Sequence, residues 1–291
     1  MGLHTRRDML GMLGAAGSMV ALGKPMLAAA AARTYSARVL AKNPVSYWRF
    51  EERTGLVAHD FTHFGRDGTY KGGVILGQPG AIHSEPDSSI GLNGTTAYVE
   101  VPDSYAFSQA TSGQGMTVEV WMRPDQLVFT GETDQKYIHW LGKGEYGSFE
   151  WGFRFYSQDS PTRPNRISAY VWNLTSTTHA ESLGTGAYFQ DVLEQGVWIH
   201  VVACFDPGDA SDPNAGVSIY KNGVLRGNPA KSPGARYATY NIHPAHGLSP
   251  LRFGTRDLKS FLTGGLDEVA IYPRVLDAGE IMNNYLGASA S

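Results

Sequence analysis

Ten short stretches of this chain alternate apolar and polar residues with a period of two, and no stretch sustains a competing helical period. They are VSYWRFEE (45–52), TAYVEV (96–101), MTVEVWMRP (116–124), KYIHWLG (136–142), WGFRFY (151–156), ISAYVWN (167–173), WIHVVACFD (198–206), VSIYKN (217–222), LRFG (251–254) and LDEVAIY (266–272). Alternation sends successive side chains to opposite faces of an extended chain, so each stretch reads as a strand. The turns between them draw on 35 glycines and 15 prolines, residues that supply the backbone angles of tight turns. Asn222-Gly223 is the clearest case, because both central residues of a type I′ hairpin turn need positive φ. Many short strands bury their apolar faces by packing two sheets against each other. The expected fold is all-β, a two-sheet antiparallel β-sandwich, with long loops at 174–196 and 227–249 where the rhythm breaks.

The first 32 residues do not share this pattern. Arg6 and Arg7 stand together in T-R-R-D-M-L, a weakly apolar Gly/Ala-rich run follows from Met9 to Leu22, Lys24 comes next, and Ala30-Ala31-Ala32 offers an A-x-A cleavage site. The segment resembles a bacterial twin-arginine (Tat) signal peptide, which implies a periplasmic or secreted protein. Its apolar run falls short of the ~20 residues that a membrane span needs, and no later stretch is apolar enough to span a bilayer. Cleavage after Ala32 removes Arg6, Arg7, Lys24 and Asp8, so the formal charge of −3 becomes −5. No basic block remains, which argues against nucleic acid as a partner. Residues 33–41 read as a linker, 42–287 as one domain and 288–291 as a tail. Cys204 is the only cysteine and lies on a strand, so it reads as a core residue.

The chain ends on a strand, a proline stop at Pro273, and a short helix. Asp277 and Glu280 have the spacing of a capping box, and Gly287 is placed to end the helix. With SYWRFEE, GLNGTTAYVEVPD, MTVEVWMRP, GVWIHVVACFD, VSIYKNGVL and LTGGLDEVAIYPRVLDAGEI in this order, residues 42–287 resemble a laminin G-like (LamG-like) jelly roll of the concanavalin A-like lectin/glucanase superfamily. The resemblance implies that the first and last strands pair and that the short C-terminal helix caps the sandwich. It also implies carbohydrate binding (a glycan or polysaccharide as partner), or attachment to a cell-surface protein. A Ca²⁺ near the junction of the N-terminal segment with the last strand is implied as well, with Asp60 and Asp267 as metal ligands. The other reading of these two is that Asp60 caps a turn and Asp267 hydrogen-bonds backbone amides.

Catalysis finds less support. Asp267 and Glu268 are adjacent on a strand, so their side chains are expected on opposite faces, whereas a glycosidase needs two carboxyls converging on one bond. Glu268 is expected to be a solvated partner of Arg49, Arg252 or Arg274. The glucanase strand motif E-x-D-x-x-E is missing, MTVEVWMRP offers only Glu119, and His139 is a faint echo of the lyase branch. An unrecognised hydrolase or lyase site stays as a further alternative. Trp48, Trp121 and Trp198 are expected in the core, and His200 as a packed, hydrogen-bonded residue. The ligand-binding candidates are Arg154, Tyr156, Tyr170, Trp172 and Asn173. Their strands carry one face rich in aromatic rings and planar polar groups, the combination that stacks on sugar rings and pairs with their hydroxyls. The alternative is that these aromatics fill the second half of the core.

Overall fold

The computed structural model describes residues 34–112, 115–145, 149–172, 184–207, 216–227 and 246–289. In chain order these form helix α1 (Tyr35–Leu40), then β1 (Ser46–Trp48), β2 (Val57–Ala58), β3 (Gly68–Lys71), β4 (Ile75–Pro79), β5 (Ser88–Asn93) and β6 (Tyr98–Val101). A 3₁₀ segment (Tyr105–Ser112) leads to β7 (Met116–Pro124), β8 (Tyr137–Lys143), β9 (Trp151–Tyr156), β10 (Arg166–Trp172) and β11 (Gly184–Gln190). The chain closes with β12 (Ile199–Asp206), β13 (Gly216–Lys221), β14 (Val224–Gly227), β15 (Leu251–Phe253), β16 (Thr263–Tyr272) and helix α2 (Ala278–Ser289).

All pairings are antiparallel, and they make two eight-stranded sheets. The first runs β14-β13-β12-β7-β16-β5-β4, with β1 also on β16; the second runs β11-β10-β9-β8-β15-β6-β3-β2. The period-two pattern decides what lies between them. Val118, Val120 and Met122 of β7 and Val201, Ala203 and Phe205 of β12 join Trp151, Phe153 and Phe155 of β9 in one apolar core. The alternate residues of the first sheet, Trp121, Val202 and Cys204, form a second cluster with Tyr35 and Val39 of α1 and Ile281 of α2. Both helices therefore cover the outer side of the first sheet. Trp48 and Trp121 are buried, while Trp198 is half-buried with the Arg123 guanidinium 5.0 Å from its ring.

The expected closure is present: β1 pairs β16 through Ser46↔Ile271, Tyr47↔Ala270 and Trp48↔Val269. The hairpin turn is present too, with φ of 52° at Asn222 and 77° at Gly223. The capping box is reciprocal. Glu280 N–H donates to Asp277 Oδ1 at 2.8 Å, and Asp277 N–H donates to Glu280 Oε2 at 3.1 Å.

Several details differ from the reading of the sequence. Residues 35–40, expected as linker, are helical because Thr34 caps them and Tyr35 and Val39, four apart, bury on one face. Part of the expected 174–196 loop is strand β11, which extends the second sheet beside β10 in full register; its glycines hide the alternation. Helix α2 runs past Gly287, where a Cβ would come within 2.6 Å of Arg38 Cδ. That glycine lets the two helices approach; it does not end one.

Candidate functional site

Two places gather polar side chains where the strands alone would put apolar ones. The first is the outer face of the second sheet. Strands β9 and β10 pair with Ser168 opposite Arg154 and Tyr170 opposite Gly152, so Arg154, Tyr156, Tyr170 and Trp172 all turn away from the core. The structure brings these four predicted residues together. The Arg154 guanidinium lies 4.4 Å from the ring of Tyr137, 4.8 Å from Tyr170 and 5.8 Å from Trp172. Tyr170 and Trp172 stack at 5.6 Å, and the Tyr156 and Tyr170 hydroxyls are 3.3 Å apart. Asn173 lies outside the described residues. Tyr170 and Trp172 are only 2% and 3% exposed, while Tyr137, Arg154, Arg163, Arg166 and Tyr188 are partly buried and reach the surface. This surface is therefore an aromatic bed reached through its cationic rim.

The electrostatics of this face are set by guanidinium groups. Burial works against the Arg154 charge, but the phenol oxygens of Tyr170, Tyr156 and Tyr137 outweigh it and raise its pKa. Burial would likewise raise Tyr156; Arg154, the Tyr170 hydroxyl and Arg163 overcome it and hold that phenol below its usual value. His139, opposite Arg154 in register, is pushed well down by burial and by the charges of Arg256 and Arg154. It is neutral at pH 7, so Nε2 accepts from Arg154 Nε at 2.8 Å and Nδ1–H donates to Glu132 at 3.1 Å. Both ring nitrogens are occupied, which leaves no free base there. Arg256 completes the cluster, with its guanidinium 3.9 Å from the Phe149 ring and 5.1 Å from Trp172. It sits in a loop after β15, and no periodicity in the sequence ties position 256 to position 154.

The second place is a fork in the first sheet. Strand β16 pairs β5 through residues 263–266 and β1 through residues 269–271. At the change of partner it bulges against β7, between Asp267 and Ala270, and Glu268 takes φ = 51°. A bulge adds one residue and re-aims side chains. That overturns the opposite-faces expectation: Asp267 and Glu268 both turn into the fork. Oxygens of Glu51, Asp87 and Glu268 lie within 4.8 Å of one another. Asp267 abuts Asp87 and accepts from Ala81 N–H at 2.8 Å. Glu268 is fully buried, not solvated, and accepts from Arg49 Nε at 3.0 Å. Arg252 pairs with Glu100 and Glu145, and Arg274 with Glu280.

Asp60 is not in the fork. Its Oδ1 accepts from Tyr47 N–H and Thr62 N–H, and its Oδ2 from Arg66 N–H, each at 3.0 Å. The backbone of its own turn uses both carboxylate oxygens, so Asp60 caps a turn as the alternative reading had it. Asp267 does hydrogen-bond a backbone amide, through Oδ2. Its Oδ1, however, has no hydrogen-bond partner among the described residues, nor do Glu51 Oε1, Asp87 Oδ1 and Glu268 Oε2. Burial raises Asp87 to about 7, against the pull of Ile82 N–H. Burial, then the neighbouring Asp87 charge, lifts Asp267 well above the usual carboxylate range, and burial lifts Glu268. Arg49 Nη2 lies 2.9 Å from Glu51 Oε1 and 3.8 Å from Asp87 Oδ1, so one guanidinium faces four carboxylates, and such converging oxygens form a donor set that suits a hard divalent cation. Of the three partners expected for Glu268, Arg49 is the one that meets it; Glu51 and Asp87 carry no signal in the sequence, because only the bulge and the strand exchange bring them to Asp267.

Among curated proteins none matches the chain. Among solved structures, the chain is similar to the binding domain of botulinum neurotoxin DC in complex with SialylT. The TM-score is 0.58 at 11% identity, over 84% of this chain and 52% of that one. The same binding domain in complex with rat synaptotagmin II gives 0.58 and 12%, over 86% and 52%. The receptor-binding domain of botulinum neurotoxin type G gives 0.55 and 13%, over 84% and 51%. The chain thus spans about half the length of these structures, and at such identities the likeness concerns the fold. The family model Laminin_G_3, described as concanavalin A-like lectin/glucanases superfamily, matches residues 93–282. The match takes in β6 to β16 and the first turn of α2, and with the two-sheet topology it shows that the chain belongs to the concanavalin A-like lectin/glucanases superfamily.

Proposed function

We propose that this protein is a non-catalytic carbohydrate-binding module, exported from the cytoplasm and stabilised by Ca²⁺. The observation that carries the binding reading is the outer face of the second sheet, where Arg154 stacks on Tyr137, Tyr170 and Trp172. Aromatic faces pack against the C–H faces of sugars, and guanidinium N–H groups donate to hydroxyl and acid oxygens. The similar toxin structures, one in complex with SialylT and one with rat synaptotagmin II, are compatible with a surface-binding role. A glycan array probed with the protein, once with Ca²⁺ and once with EDTA, tests the reading. The expected result is a reproducible hit that Trp172→Ala abolishes; a blank array removes it.

The Ca²⁺ part rests on the fork. Glu51, Asp87, Asp267 and Glu268 would hold the ion, which would neutralise carboxylates that now face one another and bind β1, β5 and β16 together. Asp60 is not part of this set. Export rests on Arg6 and Arg7, and changing both to Lys should leave the precursor in the cytoplasm; unimpaired export would point to the general secretory route. A second reading, attachment to a cell-surface protein, is favoured by exposed Phe61 and Phe64 beside a pocket of about 260 Å³. A blank glycan array would make it the leading one.

A further inference from the structure

We propose that the outer face of the second sheet seats an acid group, so that the ligand is an anionic glycan whose carboxylate or sulfate is held by Arg154 and Arg256 together. The inference rests on the carbohydrate reading and narrows it to a ligand class.

Arg256 carries the argument. It is 1% exposed, and a buried guanidinium is costly unless its donors are satisfied. Nη2 donates to Asp257 at 3.0 Å, but Nε and Nη1 have no hydrogen-bond partner among the described residues. The side chain is nevertheless held in a built bed. Its stem crosses Gly142 and Gly152, which pair on β8 and β9. A Cβ at Gly142 would lie 3.2 Å from Arg256 Cγ, and one at Gly152 would lie 3.1 Å from Cδ. Two facing glycines thus leave the groove in which this arginine lies flat, with its guanidinium against Phe149 and Trp172.

Arg154 reaches the same Trp172 ring, at 5.8 Å against 5.1 Å for Arg256, and its charge is felt at Arg256. Its Nε donates to the neutral His139, and it makes no ion pair with a carboxylate among the described residues. The acids close to the pair are Asp257, bound to Arg256, and Glu132, whose Oε1 faces His139 and Ser260. Glu132 is itself raised by burial, which reduces the negative charge it offers. Farther along the sheet, Arg163 and Arg166 add positive charge at Tyr156 and Tyr188. The Arg256 charge is under strain, since burial and the Arg154 charge pull its pKa down to about 10. A carboxylate or sulfate relieves both defects. It presents paired acceptors that match the guanidinium fork, and it supplies a countercharge for Arg154 beside the Asp257 that Arg256 already holds. Arg154 is the more exposed of the two and meets the acid first.

The test uses three probes with one backbone: dextran, carboxymethyl-dextran and dextran sulfate, titrated calorimetrically into the protein at physiological salt. Non-specific attraction works against the result, because the chain is net negative at −3. The expected outcome is that one or both acid polymers bind at least about tenfold more tightly than dextran, and which of them does so tells carboxylate from sulfate. Arg154→Gln should weaken the acid polymer about tenfold or more. Arg256→Lys, which keeps the charge and most of the stem but loses the fork, should weaken it comparably with its melting temperature unchanged. Arg226→Gln, on the other sheet, should change nothing. Equal binding of acid and neutral polymers, or Arg154→Gln and Arg256→Lys proteins that bind like the wild type, overturns the anion seat and leaves the carbohydrate reading in place. Array hits confined to neutral glycans do the same. No polymer bound, together with a blank array, fails the carbohydrate reading and the seat with it.

Discussion

Two groups of buried carboxylates stand on the first sheet, and their states are opposite. Glu119, on β7 beneath both helices, is nearly inaccessible and fully satisfied. Its Oε1 accepts from Tyr35 OH at 2.9 Å and His200 Nε2–H at 2.8 Å, and its Oε2 accepts from Tyr272 OH at 2.6 Å and Asn284 Nδ2 at 2.9 Å. Burial alone would raise its pKa, but the donors led by His200 prevail and hold it below the usual value. In the fork, Asp87, Asp267 and Glu268 are enclosed too, yet each keeps one oxygen without a hydrogen-bond donor, Arg49 is the one cation among the described residues that Asp87 and Glu268 share, and their pKa values are raised. The same sheet thus carries one carboxylate completed by the protein and a set that the protein leaves incomplete. Burial by itself does not tell a structural acid from a ligand; the count of donors does.

The largest expected effect breaks the satisfied side. Glu119→Ala strands Tyr35, Tyr272, Asn284 and His200 without their acceptor, and should cost about 3–5 kcal/mol in urea unfolding; a loss below about 1 kcal/mol would mean that the network contributes little. Next comes the fork. Ca²⁺ at a hundred times its dissociation constant should stabilise the protein by about 2.7 kcal/mol, and EDTA should reverse it. Asp267→Asn with Glu268→Gln should abolish that response without weakening the chelated protein. An EDTA-insensitive melting temperature, with no calcium by elemental analysis, would remove the metal.

The pH response sharpens the contrast, because the signs differ. Asp87 has a folded pKa of about 7, above its unfolded value, so its contribution is complete below the unfolded pKa. In EDTA that contribution should be lost as pH rises toward and through 7. Glu119 has a depressed folded pKa, so its contribution is present above the unfolded value and is lost as pH falls through the folded one. Stability profiles of Asp87→Asn and Glu119→Gln, each subtracted from wild type, should therefore slope in opposite directions; parallel profiles would refute the assignment. The smallest effect is Asp277→Ala. Losing the cap of α2, the helix that brings Asn284 to Glu119, should cost about 1 kcal/mol and leave the Ca²⁺ response intact.

Much of this was legible in advance. Arg154, Tyr156, Tyr170 and Trp172 could be placed on one face because alternation on two strands is a local property, and pairing only had to set them side by side. His200 and the Asp277–Glu280 box were legible for the same reason. Regular alternation puts Asp267 and Glu268 on opposite faces, and the bulge at Glu268 overturns that placement. Asp60 is held by Thr62 and Arg66 of its own turn and by Tyr47 of β1, contacts which a resemblance to other chains of this fold could not reveal.

The sequence by itself determined the all-β class, the hairpin at Asn222-Gly223, the apolar side of each strand and the capped end, since each depends on residues close together in the chain. Tertiary structure alone decided that β16 exchanges β5 for β1 at Glu268, that Glu51 and Asp87 meet Asp267 there, and that Arg256 lies over Gly142 and Gly152 beside Arg154. Those contacts join residues that are up to some two hundred positions apart, and they depend on where the backbone bulges and where a missing Cβ leaves room. No periodicity encodes such distances; they exist only once the sheets have closed.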